Sequence, residues 1–184
     1  MSAGHGHGHG DHGSNKGIAL LISILALLLA LAETFGKNAQ TAATASNIEA
    51  SNLWAFFQAK TIRQTVLRTA AEALAAGNTS EVQKKQIDKW KETAQRYQSE
   101  PETNEGREQL AARAKAAEGK RDKAMDAYHN FESASAAAQI AIVLASASII
   151  AEIAALAWIA GGLGVIGALF CVIGIVHPIA IHLF

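Results

Sequence analysis

The sequence predicts an all-α membrane protein with three transmembrane helices and a long helical, coiled-coil-like hairpin between the first and the second. Half of the 184 residues are apolar and only two are proline, which is typical of helical membrane proteins. Residues 134–184 carry no lysine or arginine and a single acid, Glu152, and such apolar runs predict membrane spans. Sixteen basic and sixteen acidic side chains cancel, so the charge does not favour a nucleic-acid partner.

A tail in which histidine alternates with glycine occupies residues 1–16. It cannot bury a hydrophobic core, and we expect it to be disordered. Its imidazoles could hold Zn²⁺, Ni²⁺ or Cu²⁺ only weakly, because a flexible chain does not preorganise the ligands. The alternative is a low-complexity leader without a metal, and we expect no resident cofactor. The candidate ligands are His5, His7, His9 and His12.

The first predicted transmembrane helix covers residues 17–36. From Ile18 to Ala32 the sequence is apolar apart from one serine, and with its flanks it is long enough to cross a thin bilayer core. A cation before a short apolar run that ends in Ala30-Leu31-Ala32 also resembles a cleaved secretory signal. Helix-favouring sequence continues beyond this site, which favours an uncleaved anchor.

Residues 37–133 are predicted to form a polar, cytoplasmic bundle of helices. The first helix continues to a stop at Gly77-Asn78, Thr79 or Ser80 caps a second, and Pro101 interrupts the chain before a third. The third helix carries a seam with steps of four and three residues, formed by Leu110, Ala114, Ala117, Arg121, Ala124, Tyr128 and Phe131. Because most of these residues are alanine, the seam is expected to need neighbouring helices or sister subunits.

Aromatic and basic side chains cluster in the first helix of this bundle, at Trp54, Phe56, Phe57, Lys60 and Arg63. At about 1.5 Å per residue they begin about 30 Å beyond the predicted span, which is too far for an interfacial aromatic belt. We expect them to form the core of the bundle. The alternative is a surface on which a partner protein docks.

The second and third transmembrane helices are predicted at residues 134–160 and 161–184, with the turn between them at Gly161-Gly162. No proline or glycine separates the third bundle helix from the second span, so one helix is expected from about Glu105 to Trp158. The last span is expected to bend near His177-Pro178. Most lysine and arginine residues lie between the first two spans, which predicts that this segment faces the cytoplasm.

Few polar side chains fall within the predicted spans, and these are the candidates for an intramembrane function. A mid-span carboxylate, as predicted for Glu152, favours its protonated form and could serve packing, an oligomer-locking hydrogen bond or an ion path. Ser148 lies on the same helical face, whereas Glu33 and His177 are expected near the cytoplasmic surface, where Lys37 could also pair with Glu33. A predicted helix-packing stripe consists of Ala160, Gly164 and Ala168.

Three stretches carry a family resemblance: Ala32-Glu33-Thr34, residues 36–40 and the block 47–65, which contains Leu-Trp-Ala-Phe-Phe-Gln-Ala-Lys. In these stretches the chain resembles a bacterial membrane-protein family that is catalogued as a domain of unknown function, DUF4337. The resemblance covers most of the chain after the tail. It implies an inner-membrane protein with an uncleaved first span and two C-terminal spans, and it brings no activity, substrate or catalytic residue.

Together these patterns predict a multi-pass protein of the bacterial inner membrane without enzymatic activity. The small-residue stripes and the alanine-rich seam favour a homo-oligomer or a scaffold for a protein partner at the cytoplasmic helices. A proton- or cation-coupled channel or transporter subunit that uses Glu152 is the alternative, and metal sensing by the tail is a third hypothesis. The expected surroundings are a lipid bilayer, and no nucleic acid is expected as a partner.

Overall fold

The computed structural model describes residues 11–176, with side chains from residue 16 onward. Four helices follow one another in this range: α1 (Asp11–Ala75), α2 (Glu81–Gln98), α3 (Arg107–Ala151) and α4 (Ala154–Val176). No strand occurs among these residues, which confirms the all-α prediction for the described range. Three helices, α1, α3 and α4, are long and apolar enough to cross a membrane. Two sets of predictions lie outside the described side chains. The first is the metal ligands His5, His7, His9 and His12, and the second is the role of His177 and the bend at His177-Pro178.

Helix α1 begins at Asp11, inside the segment that was expected to be disordered, and continues for 65 residues. One face of this helix is buried or half-buried at alternating steps of three and four residues. The positions are Ile18, Ile22, Leu25, Leu29, Ala32, Gly36, Ala39, Ala43, Ser46, Ala50, Leu53, Phe57, Lys60, Gln64, Leu67, Ala71 and Leu74. This spacing of 3.5 residues keeps the same face of a long helix towards its packing partners.

The chain divides into two compact units, and we name them by their composition. The polar unit is Ala43–Asp122, and it contains the second half of α1, all of α2 and the first part of α3. The apolar unit is formed by Met1–Ala42 and Lys123–Phe184, and its described part contains the first half of α1, the rest of α3 and α4.

The core of the polar unit is small and rich in alanine. In its apolar cluster, Leu53 and Leu110 are the largest buried side chains, and the alanines at positions 50, 114 and 117 complete the cluster. Trp54 and Phe57 cover this cluster from α1. Three residues of the predicted α3 seam are therefore buried in this cluster, those at positions 110, 114 and 117, and Phe131 is buried in the apolar unit.

The ends of α2 follow the predicted breaks. The hydroxyl of Ser80 accepts a hydrogen bond from Gln83 N, and Gln83 Oε1 accepts one from Ser80 N at 2.7 Å, which together form a capping box. Beyond α2, the loop packs tightly around Gly106. A side chain at this glycine would collide with Gln109 Oε1 and with the backbone at Glu100, so only glycine fits.

Helix α4 packs in the apolar unit through a face of small residues. The buried positions are Ala160, Gly164, Gly167, Cys171 and Gly174. A Cβ atom built at Gly164 would lie 2.6 Å from Leu25 Cδ2, and one built at Gly174 would lie 3.0 Å from the Phe131 ring. The absence of side chains therefore lets these helices approach closely. Of the predicted stripe, Ala160 and Gly164 lie on this packed face, whereas Ala168 is exposed because the packed face follows 4-3 steps.

The turn between α3 and α4 lies at Glu152 and Ile153, not at the predicted Gly161-Gly162. Consequently α3 ends at Ala151, before the predicted Trp158, and the boundary between the two last predicted spans moves towards the N-terminus. Glu152 adopts a left-handed backbone conformation with φ of 55°. Such a residue costs about 1–2 kcal/mol, less than burial of an unpaired carboxylate at mid-span. The glycine pair remains helical.

Candidate functional site

Lys60 occupies a buried position of α1 in the polar unit, between two carboxylates and two aromatic rings. Its Nζ lies 3.4 Å from Glu100 Oε2 and 3.8 Å from Glu105 Oε2. The same atom lies 5.3 Å and 5.5 Å from the ring centroids of Phe56 and Tyr97. These ion pairs and cation–π contacts offset the cost of removing the ammonium group from water.

Gln64 lies one turn further along α1 and connects all three helices of the polar unit. Its Nε2 donates to Ala94 O at 2.9 Å and to Gln98 Oε1 at 3.3 Å, both on α2. From α3, Arg107 donates to the side-chain oxygens of Gln64 and Gln98, and its guanidinium stacks 4.9 Å from the Phe57 ring centroid. We name Lys60, Gln64 and the side chains that contact them the polar layer. Buried polar groups of this kind fix the register between helices at a cost in stability.

Glu100 also accepts a hydrogen bond from Arg96 Nη2 at 2.7 Å. This hydrogen bond holds the pKa of the Glu100 carboxyl below its ordinary value, and the carboxylate in turn raises the pKa of Arg96. Glu100 is therefore ionised at neutral pH and joins the end of α2 to the polar layer.

The other predicted interaction residues divide between core and surface. Trp54 Nε1 donates to Glu118 Oε1 at 2.9 Å, and the Trp54 ring meets that of Phe57 edge-on, with 5.4 Å between centroids. Phe56 is partly exposed although its ring faces Lys60, and Arg63 is exposed. Of the predicted cluster, Trp54, Phe57 and Lys60 thus belong to the interior of the polar unit.

A second apolar face runs along α1 in the polar unit, opposite the buried one. It consists of Ile48, Asn52, Ala55, Ala59, Ile62, Val66, Ala70 and Ala73, mostly at steps of three and four residues, and we call it the outer stripe. Ile48, Ile62 and Val66 are 56%, 64% and 60% exposed. None of the eight positions is charged. An exposed apolar helix face of this kind is a candidate interaction surface.

The predicted intramembrane polar residues have different surroundings from those expected. Glu152 is exposed in the α3–α4 turn, so it is not a mid-span acid. Ser148 is buried, and its hydroxyl donates to the Ile153 carbonyl oxygen at 3.1 Å, which stabilises that turn. Glu33 is exposed, and among the described residues neither it nor Lys37 has an ion-pair partner within 4.0 Å.

Sequence reasoning missed the outer stripe and most of the polar layer. The signal for the layer was present, because Lys60 falls at a core position of the 3.5-residue repeat and a buried lysine requires acidic partners. Within the part of the chain that the structure describes, no group of three histidine, cysteine or acidic side chains could hold a metal ion.

The fold and these surfaces define a helical protein with three helices of membrane-spanning length and a polar helical unit. The family model for a domain of unknown function, DUF4337, matches residues 14–177, and the chain belongs to this family. The chain matches no curated protein and no solved structure.

Proposed function

We propose that this protein is a non-enzymatic scaffold of the bacterial inner membrane that assembles as a homo-oligomer through the outer stripe of α1. The polar unit lies in the cytoplasm in this proposal, and its assembled surface can hold a protein partner. The observation that carries the proposal is the outer stripe, an uncharged and exposed apolar face on a unit that is otherwise polar.

Membrane insertion is supported by the surface of the apolar unit. Most of its large apolar side chains point outwards, while its interior consists mainly of alanine and glycine around Leu25 and Phe131. Such an arrangement suits lipid, because outward leucine, isoleucine and valine contact acyl chains and small residues permit close helix packing. Trp158 is 83% exposed and lies about one turn after the start of α4, as expected for a tryptophan at the membrane surface.

The distribution of cations supports the orientation. Lysine and arginine residues are frequent from Lys37 to Lys123 and do not occur from residue 124 to the C-terminus. By the positive-inside rule, these cations support a cytoplasmic segment between the first two spans and an outward-facing Glu152 turn.

A second copy of the chain is the occupant that best fits the outer stripe. Along the stripe, Ile48 and the consecutive positions Ile62 and Val66 are flanked by small residues, mostly alanine, so that the larger side chains of one helix can pack against the small ones of an identical helix. Copies that are anchored by the same helix meet in parallel and at the same height above the bilayer. Their stripes therefore pair in register without burying a charge.

The test is the mass of the purified full-length protein in detergent, measured by light scattering for the wild type, Ile62→Glu and Thr65→Glu. We expect an oligomer for the wild type, a monomer for Ile62→Glu because like charges meet in the interface, and an oligomer for Thr65→Glu, which changes a neighbouring face. A strictly monomeric wild type that also yields no crosslinked ladder in membranes would refute the proposal, as would an unchanged mass for Ile62→Glu.

The channel or transporter alternative loses its motivation, because it depended on a buried acid at mid-span. Glu152 lies in an exposed turn, and no other acidic residue lies within α4 or within the part of α3 from residue 133 to Ala151.

A further inference from the structure

An open pocket of about 320 Å³ lies in the apolar unit, where the apolar segments of α1 and α3 give way to charged ones. Its apolar floor includes Phe131, which packs against Gly36 and lies 5.7 Å from the Phe35 ring. Its polar wall is formed by Glu33, Lys37, Gln40, Tyr128, Glu132 and Ser135. We call it the boundary pocket.

The charged groups of the boundary pocket are available to a ligand. Within the described range, Glu33 and Lys37 have no ion-pair partner although they are one helical turn apart on α1. Glu132 has an ion-pair partner, because His129 Nδ1 lies 3.6 Å from Glu132 Oε2, but both side chains are more than half exposed. The Tyr128 hydroxyl lies 3.5 Å from Glu132 Oε1, at the limit of a hydrogen bond. Two carboxylates and one ammonium group thus face an open space.

We propose that the boundary pocket binds the headgroup of an aminophospholipid, in which a primary ammonium group is joined to a phosphate. The ammonium group would donate hydrogen bonds to Glu33 and Glu132 beside the Tyr128 ring, and the phosphate would accept one from Lys37. A phosphocholine headgroup has no N–H to donate. A phosphatidylglycerol headgroup has the same phosphate charge but a neutral glycerol in place of the ammonium group, so no cation of the lipid would balance the two carboxylates.

The surroundings of the boundary pocket favour a lipid over a water-soluble amine. Leu31 and Phe35 on α1 are partly exposed beside the pocket and offer an apolar surface to acyl chains. The proposal rests on the membrane insertion that we infer above, but it is independent of oligomerisation through the outer stripe.

The test is native mass spectrometry of the full-length protein, released from detergent with defined amounts of phosphatidylethanolamine, phosphatidylcholine or phosphatidylglycerol. We expect phosphatidylethanolamine to be retained about tenfold more tightly than the other two, because charge-assisted hydrogen bonds account for the difference. Glu33→Gln and Glu132→Gln should each remove most of this preference. Glu152→Gln is the matched control, an exposed carboxylate at the other end of the α3 span, and it should leave the preference intact.

Equal retention of the three lipids by the wild type would overturn the proposal, as would an unchanged preference in both pocket variants. Displacement of the lipid by glycerophosphoethanolamine, which lacks acyl chains, at the same molar concentration would also overturn it and indicate a site for a soluble amine. The same spectra report the oligomeric state. A monomer that still prefers phosphatidylethanolamine would contradict the scaffold proposal alone, and an oligomer without lipid preference would contradict only the boundary pocket.

Discussion

Replacing Lys60 by methionine tests what stabilises the polar layer. The Lys60 side chain is 6% exposed, yet it carries an ammonium group. Its two cation–π contacts contribute about 1–2 kcal/mol each at this desolvated site, and the ion pair with the half-exposed Glu105 contributes about 1 kcal/mol at most. The closer ion pair with Glu100 adds to these contacts. Desolvation of the ammonium group opposes these contacts with several kcal/mol. Methionine keeps an unbranched apolar side chain and needs no such compensation.

We therefore expect Lys60→Met to change the local stability by less than about 1 kcal/mol, because buried ion pairs are often replaced by apolar residues at little cost. The Glu100 carboxylate is not left unpaired, since Arg96 remains 2.7 Å away. Lys60→Ala is the matched comparison. It removes the apolar stem as well and leaves a cavity, which should cost about 2–4 kcal/mol.

The measurement is amide hydrogen exchange of residues 57–67 in the full-length protein in detergent, which reports the free energy of local opening. Lys60→Ala should accelerate exchange at least about tenfold, since each 1.4 kcal/mol corresponds to a factor of ten. Lys60→Met should stay within about fivefold of the wild type. If both variants were destabilised equally, the charge and not the apolar stem would hold this position, and the reasoning would be wrong.

Three further predictions concern the polar unit and the α3–α4 hairpin. The hydrogen bond from Arg96 lowers the folded-state pKa of Glu100. The stabilisation by this carboxylate is therefore present above its unfolded-state pKa of about 4.3 and is lost as the pH falls through the lower folded-state pKa. When the melting temperature is plotted against pH, Glu100→Gln should show a smaller decrease at acid pH than the wild type. Gly174→Leu should separate the helices around Phe131 and lower the melting temperature in detergent. Gly174→Ala should lower the melting temperature by a smaller amount, because its added Cβ would lie 3.0 Å from the Phe131 ring. Ser148→Ala should speed hydrogen exchange of the adjacent turn by about fivefold, because a hydrogen bond of about 1 kcal/mol is removed; exchange as slow as in the wild type would count against its role there.

The sequence pattern was sufficient for the helical class and for the helix breaks in the polar unit. Apolar runs define helices of membrane-spanning length, and Ser80 begins α2 with the expected cap. These features are local, since capping and helix termination depend on a few neighbouring residues.

The position of the α3–α4 turn could not be obtained by the same reasoning. A glycine pair predicts a turn in water, but glycine is tolerated within apolar membrane helices, and Gly161 and Gly162 remain helical although no other helix of the described range packs closely against them. Glu152 has no helix-breaking character of its own. Glu152 forms the turn because its carboxylate then remains exposed. Its position in the turn thus depends on where the whole α3–α4 hairpin lies and not on the neighbouring residues alone.

The outer stripe shows another limit of pattern reading. Both faces of α1 carry apolar residues at steps of three and four, one through Leu53 and Phe57 and the other through Ile62 and Val66. Periodicity alone does not tell which face the other helices of the same chain cover. The structure shows that the first face is covered and the second is exposed.

Cysteine crosslinking in native membranes tests most directly the claim that copies of this chain pair through the outer stripe. In a Cys171→Ser background, Val66→Cys places a thiol on the stripe, and Thr65→Cys places one at nearly the same height but about 100° around the helix. We predict that mild oxidation gives a disulfide-linked dimer for Val66→Cys and almost none for Thr65→Cys. Equal yields for the two variants, or no dimer for Val66→Cys, would contradict assembly through this face.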